Sequence, residues 1–209
     1  MSHVLQDFMP KLKDHILARF QGIAYDGEQQ AFTDEDHDGI KFVSNRIYRH
    51  KVLRVNYTTY DMRRAQDSIN LRTHPDIMVL AHEDDDNEKM ETHPYWYARV
   101  VGIFYVNVRH TGPTSRSTEV HRMEFLWVRW LALDSDHQGG FRTRRLHRVG
   151  FLSGDDPNAF GFLDPVLVVH AVHLIPAFTF GRTDEIMGPS IVQSEDDGDE
   201  DWSFLHVNM

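Results

Sequence analysis

Apolar residues recur every fourth position through Leu12, Ile16 and Phe20, and Gly22 follows as a stop, so the pattern predicts a first helix. Pro10 is tolerated at a helix start and breaks a helix that runs through it, which places that start near Pro10. Thr33-Asp-Glu-Asp36 opens a second helical segment as a capping-box-like sequence with Asp where Glu is usual. Ile40, Val43 and Ile47 continue it at helical spacing beyond Gly39. The acids at 34–38 lack the ligand spacing and closing Glu of a calcium loop and fit the first turn of that helix instead.

From residue 51 the pattern turns to β. Residues 51–60 are rich in β-branched and aromatic side chains, and residues 77–81 form a short apolar run. Residues 95–109 give the clearest strand: Trp96, Ala98, Val100, Phe104, Val106 and Val108 alternate with a set that mixes aromatics with Arg99, Asn107 and Arg109. Gly102 marks a bulge or bend there. After a Gly/Pro/Ser/Thr loop at 111–118, residues 123–133 are apolar on both faces, as in a buried central strand. Beyond Gly139-Gly140, residues 141–151 read as a basic strand with Arg142, Arg144 and Arg148 on one face and Arg145 and His147 on the other. Asp155-Asp-Pro-Asn158 is turn chemistry, and Asp164-Pro165 reads as an N-cap and N1 proline opening one helical turn. Residues 171–175 resume as strand, with 166–169 open to either form. Residues 195–201 are predicted to be a solvated acidic segment, and 202–209 a strand-like run that looks cut from something longer.

Short strands with no β-helix-β alternation after residue 51 predict a mainly β (α+β) fold. The expected form is a small curled β sheet or barrel, with one or two N-terminal helices and an acidic C-terminal segment. The expected division is a helical lead-in over 1–48, a β-barrel-like module over 49–193, and an acidic segment plus truncated terminal strand over 194–209.

The 209 residues include no cysteine, which excludes disulfide frameworks, thiolate nucleophiles and Cys-bearing zinc sites. No apolar run approaches the roughly 18 residues of a membrane span, and no signal-peptide block opens the chain, so a soluble intracellular protein with no membrane partner is expected. The net charge of −10 changes that picture once it is placed along the chain: residues 34–38, 83–91 and 195–201 hold 16 of the 32 acids. Residues 41–82 carry 8 Lys/Arg against 3 acids, and residues 99–150 carry 9 against 4. Of the 22 basic residues 17 are arginine, whose planar fork suits carboxylate or phosphate. These stretches either pair with the acidic runs of the same chain or form a nucleic-acid surface. For the second role Arg142, Arg144, Arg145 and Arg148 are the candidates.

Phosphate-loop, dinucleotide, hydrolase-elbow and zinc-protease signatures are lacking, and a non-catalytic protein without a small-molecule cofactor is expected. Fourteen histidines share no spacing. His170 and His173, with His147 or His137, could meet on a metal only across a helical turn, because residues three apart in a strand point to opposite faces. No metal site is expected. Asp61, Asp67, Asp76, Glu124, Asp134 and Asp164 stand outside the acidic runs, but their spacing picks out no metal-binding triad. Tyr95, Trp96, Tyr97, Trp127 and Trp130 either fill a core or line a groove for a methylated lysine or an extended peptide, with Tyr95, Tyr97 and Trp130 as the groove candidates.

Four ordered stretches resemble the C-terminal region of large proteins encoded by fungal DNA transposons, and the related module beside plant CACTA-type transposases. They are Arg49-His-Lys-Val-Leu-Arg-Val-Asn-Tyr-Thr-Thr-Tyr-Asp61, His93-Pro-Tyr-Trp-Tyr-Ala-Arg-Val-Val-Gly-Ile-Phe104, Arg122-Met-Glu-Phe-Leu-Trp-Val-Arg-Trp130 and the run from Phe160-Gly-Phe-Leu-Asp-Pro through Phe178. The resemblance covers residues 10–209. It implies a nuclear, accessory, non-catalytic region whose carboxylate nuclease core lies upstream, with the missing flanking parts of the parent protein as partners. A second, fold-level likeness is to bromo-adjacent homology (BAH) domains, which implies a small barrel that binds chromatin. Three functions compete on this footing: a binding module for DNA or histone tails, a metal-dependent nuclease or transposase remnant, and an inactive structural gene fragment.

Overall fold

The computed structural model describes residues 7–23, 32–81, 93–112, 115, 117–140, 142–186 and 200–208. The acidic run at 83–91, all but the last two residues of the run at 195–201, and Phe141 lie outside the described residues.

Helix α1 (Phe8–Gln21) starts two residues before Pro10, so the proline occupies the first turn, where its missing N–H has no intrahelical partner to lose. Gly22 ends the helix in the left-handed region at φ 70°, with the Gly22 and Ile23 amides bonded back to Arg19 and Ala18 carbonyls. Leu12, Ile16 and Leu17 are buried against the sheet, and the Phe8 ring meets Trp127 and Phe162 edge-on at 5.4 and 5.0 Å. Helix α2 (Asp34–Asp38) carries both hydrogen bonds of the predicted capping box between Thr33 and Asp36. The Thr33 hydroxyl first, and then the Thr33 amide, donate to the Asp36 carboxylate and hold it below the usual aspartate range.

The second helix does not continue past Gly39. Ile40, Val43 and Ile47 belong to strand β1 (Ile40–His50), antiparallel to β5 (Tyr95–His110), so the expected boundary at residue 48 falls inside a strand. The helical spacing there is accidental. Ser44 and Asn45 take positive φ (59° and 51°) and insert a bulge between Phe42 and Ile47, which breaks the period of two that would have signalled a strand.

Strands β5 and β6 (His121–Leu133) form the spine, and both are longer than any other strand, so each changes its outer partner midway. β5 pairs with β4 (Asp76–Leu80) over its first five residues and with β1 farther on. β6 pairs with β8 (Phe160–Leu163) up to Arg129 and with β7 (Arg148–Phe151) from Leu131. The predicted bulge lies between Val100 and Gly102, where an added Cβ would sit 2.1 Å from the Phe104 ring. β6 is buried from Phe125 to Leu131, as its two apolar faces require.

The main sheet runs β10-β13-β7-β6-β5-β4-β9, with β9 at Val168–Ala171, β10 at His173–Pro176 and β13 at Leu205–Asn208. Its two end strands are consecutive in the chain, joined by Val172, whose amide donates to the Asp76 carbonyl at 3.0 Å. The expected curl is therefore present, whereas a closed barrel is not: among the described residues no ladder joins β9 to β10. Asp164 caps the predicted single turn, 3-10 helical at Pro165–Leu167, by accepting the Val166 amide at 3.0 Å. The predicted basic strand shrinks to Arg148–Phe151. Residues 142–145 form a turn closed by the Gly140–Arg145 bridge, with Arg144 at φ 54°. The terminal run is no edge, since β13 lies between β10 and β7.

Two charged residues, one of them expected in a solvated segment, build part of the interior. Arg129, on the central strand, is buried and forms two hydrogen bonds to Asp201 at 3.0 and 2.8 Å. Asp201 opens β12 (Asp201–Trp202), which pairs with β11 (Arg182–Thr183), so the end of the acidic run is buried rather than solvated. Across the β5–β6 ladder Arg99 stands opposite Arg129, and Asp76 holds Arg99 through two bonds at 2.7 and 3.2 Å. The Phe151 ring lies 4.0 Å from the Arg129 guanidinium and 5.0 Å from that of Arg99. Removing one member of the Arg129–Asp201 pair strands its partner's charge in the core. Asp201→Leu alone is expected to cost about 3–5 kcal/mol in urea unfolding, and the double variant Arg129→Met/Asp201→Leu is expected to recover at least half of that loss.

The α1 face adds a pH dependence. His15 lies beside the Phe162 ring with Nε2 buried and, among the described residues, without a hydrogen-bond partner. Burial, and secondarily Arg19, hold its pKa down to about 3 from 6.5. A folded value below the unfolded one favours the folded state fully above pH 6.5, and this stabilisation is lost as pH falls toward the folded value. Thermal unfolding between pH 7 and pH 5 is expected to show falling stability, with His15→Leu flattening the dependence by up to about 1.4 kcal/mol per pH unit.

Candidate nucleic-acid interface

The arginines singled out by the sequence separate into two kinds. Arg142, Arg144 and Arg145 are exposed on the turn after Gly140, and among the described residues none has an ion-pair partner. Arg148 is not available to a phosphate. Its guanidinium pairs with Asp134 and lies 4.4 and 4.7 Å from the Phe180 and Phe204 rings. The four do not share a strand face, because positive φ at Arg144 turns the chain before β7 begins.

Two of the three aromatic candidates are interior. Tyr97 is 1% exposed and Trp130 8%, and they belong to core clusters on opposite faces of the sheet. Burial, with Tyr95 beside it, pushes the Tyr97 hydroxyl up to about 12. Tyr95 is half-buried, and all three candidates, Tyr95, Tyr97 and Trp130, border with Trp96 and Leu133 an open hollow of about 270 Å³ where β6 exchanges β8 for β7. Trp96 packs with Trp130 on the face away from Tyr97, as strand alternation requires. Among the described residues the hollow's lining includes no carboxylate.

Each of the six carboxylates singled out by the sequence has its own partner. Asp76 holds Arg99, Asp134 holds Arg148, and Asp164 pairs with Arg19 at 2.8 Å. Glu124 pairs with Arg122 and Asp61 with Arg63, while Asp67 accepts the Ala171 amide at 2.9 Å. Histidines behave similarly. His170 stacks on Tyr57 at 5.4 Å and His173 is exposed one strand on, whereas His147 meets His93 at 4.4 Å. Burial first, then His93 and His137, lower the pKa of His147. Among the described residues no three His, Asp or Glu side chains are placed to hold a metal ion, and no helix is long and apolar enough to cross a membrane.

The two basic stretches differ once folded. In 99–150 three arginines, Arg99, Arg129 and Arg148, turn inward onto aspartates. In 41–82 the reverse holds: Lys41, Arg46, Arg49, Lys51, Arg54, Arg63, Arg64 and Arg72 are all exposed, while Asp76 is buried, Asp67 half-buried and only Asp61 exposed. Much of this charge stands on or beside a two-stranded ribbon, β2 (Leu53–Thr58) and β3 (Arg64–Ile69). Residues 51–60 carried the signal of the first strand. The second was missed because it has no apolar run, although Ala65, Asp67 and Ile69 alternate with Arg64, Gln66 and Ser68.

Comparison with protein-family models, with curated proteins and with solved structures finds no match.

Arg148→Ala is expected to lower stability by about 2 kcal/mol, because Asp134 loses its cation in a mostly buried site. The triple variant Arg142→Ala/Arg144→Ala/Arg145→Ala should unfold within about 0.5 kcal/mol of the parent. Urea denaturation of both reads the contrast.

Proposed function

We propose that the chain is a non-catalytic nucleic-acid-binding module, the accessory region of a transposon-encoded protein that its four sequence stretches resemble, acting in the nucleus. One observation carries the reading: the stretch 41–82 turns eight cations to solvent against one exposed carboxylate, although the chain as a whole carries −10. Phosphate binding needs local positive charge that the protein's own acids do not neutralise, and among the described residues seven of the eight cations have no ion-pair partner, the exception being Arg63 with Asp61. Arg142, Arg144 and Arg145 add a second exposed cluster.

We read the curl of the sheet around β5 and β6 as BAH-like. Supporting that likeness, Tyr97-Ala-Arg-Val100 and Leu126-Trp-Val-Arg-Trp130 are directly paired neighbours. A histone-tail ligand draws less support, because Tyr97 and Trp130 are committed to the core.

Fluorescence anisotropy with a labelled duplex of about 20 base pairs tests the reading. Binding at about 50 mM salt is expected, with log affinity falling linearly in log salt by about 0.9 per neutralised phosphate. Absence of binding overturns it. Strand cleavage that requires magnesium or manganese would replace it with the nuclease remnant.

A further inference from the structure

We propose that the outward face of the β2–β3 ribbon reads duplex DNA from the major groove, an inference that rests on the nucleic-acid reading above and names its surface and ligand. The register places three pairs on that face: Arg54 with Ser68, Asn56 with Gln66, and Thr58 with Arg64. All six side chains are exposed. Among the described residues neither Arg54 nor Arg64 has an ion-pair partner.

Their chemistry is that of base-edge recognition. An arginine fork matches the O6 and N7 of guanine, a carboxamide matches the N6 and N7 of adenine, and hydroxyls serve any base. Gln66 donates to the Asn56 carboxamide at 2.7 Å, which fixes both amides at the centre of the face before any ligand arrives. Arg54 and Arg64 lie on opposite strands four residues apart along the ribbon, roughly 13 Å, or about four base-pair steps.

The dimensions select the ligand. Two strands roughly 5 Å apart enter a B-form major groove about 12 Å wide, whereas the major groove of A-form RNA is too narrow and deep for side chains to read. The ribbon is also held rigidly from behind. Leu53 and Val55 pack on the core, Tyr57 stacks on His170, and Asp67 accepts the Ala171 amide. Exposed cations without an ion-pair partner among the described residues flank the base, Lys51 and Arg72, where phosphates on the groove walls would lie, while Arg63 at the tip pairs with Asp61.

The test uses the full chain and a pool of duplex DNA randomised over its central base pairs. The parent is expected to enrich a preferred sequence of about four base pairs and to bind it at least tenfold more tightly than an RNA duplex of the same sequence. Arg54→Ala/Arg64→Ala should weaken the preferred duplex about tenfold and abolish the enrichment, and Asn56→Ala/Gln66→Ala should relax the preference with smaller loss of affinity. These positions face water, so thermal unfolding of both variants should match the parent. Parent-like affinity and preference in both variants overturns the inference, and so does a parent that binds duplex DNA without base preference or prefers RNA. In those cases DNA or RNA binding lost in Arg142→Ala/Arg144→Ala/Arg145→Ala still upholds the nucleic-acid reading. If the parent binds no nucleic acid, both fall.

Discussion

Arg129 is the residue the rest of the structure must accommodate. It sits near the middle of the central strand, between Val128 and Trp130, where a guanidinium removed from water is affordable only with a carboxylate in bidentate contact. That carboxylate comes from Asp201, 72 residues along the chain. The pairing fixes where β12 lies, and β13 follows within three residues, so one buried charge specifies the placement of the whole final segment. Phe151 separates this pair from the Asp76–Arg99 pair with its ring against both guanidiniums, and the four charges form a neutral row across the sheet.

The same arithmetic explains how an acidic protein keeps a basic surface. Aspartates that follow the arginines of β5, β6 and β7 inward cancel them there. Asp67 of the hairpin is likewise committed to a backbone amide and Asp76, at the start of β4, to Arg99. Asp61, paired with Arg63, is the one carboxylate that the hairpin exposes, and the rest of its surface charge is positive. Net charge therefore describes this molecule less well than the destination of each carboxylate.

Much of the fold was legible because its strands obey simple rules. The alternation of 95–109, the two apolar faces of 123–133, the Gly102 bulge and the Asp164-Pro165 turn all follow from period and turn chemistry. Failures came where local sequence is ambiguous or contacts are distant. Ile40, Val43 and Ile47 imitate a helix only because two positive-φ residues interrupt the strand. Arg142 to Arg148 imitate a strand because nothing local reveals the turn at Arg144 or the rings waiting for Arg148. Asp201 could not be told from its acidic neighbours, since only Arg129 distinguishes it. The site was half legible: the basic stretch at 41–82 was visible as charge, but which side chains face water depended on the pairing of two strands, one of which has no hydrophobic signature.

The position of β13 bears on how the chain assembles. β7 and β10 lie 22 residues apart in sequence and do not touch as a ladder; β7 pairs with β6 on one side, and residues 205–208 stand between β7 and β10 and pair with both. Among the described residues the ladder of β10 therefore rests on β13 alone. Take the four residues of β13 away and two strand edges, one on β7 and one on β10, lie open. Open edges of this kind are templates for pairing with another chain. One short strand thus seals the sheet against its own copies.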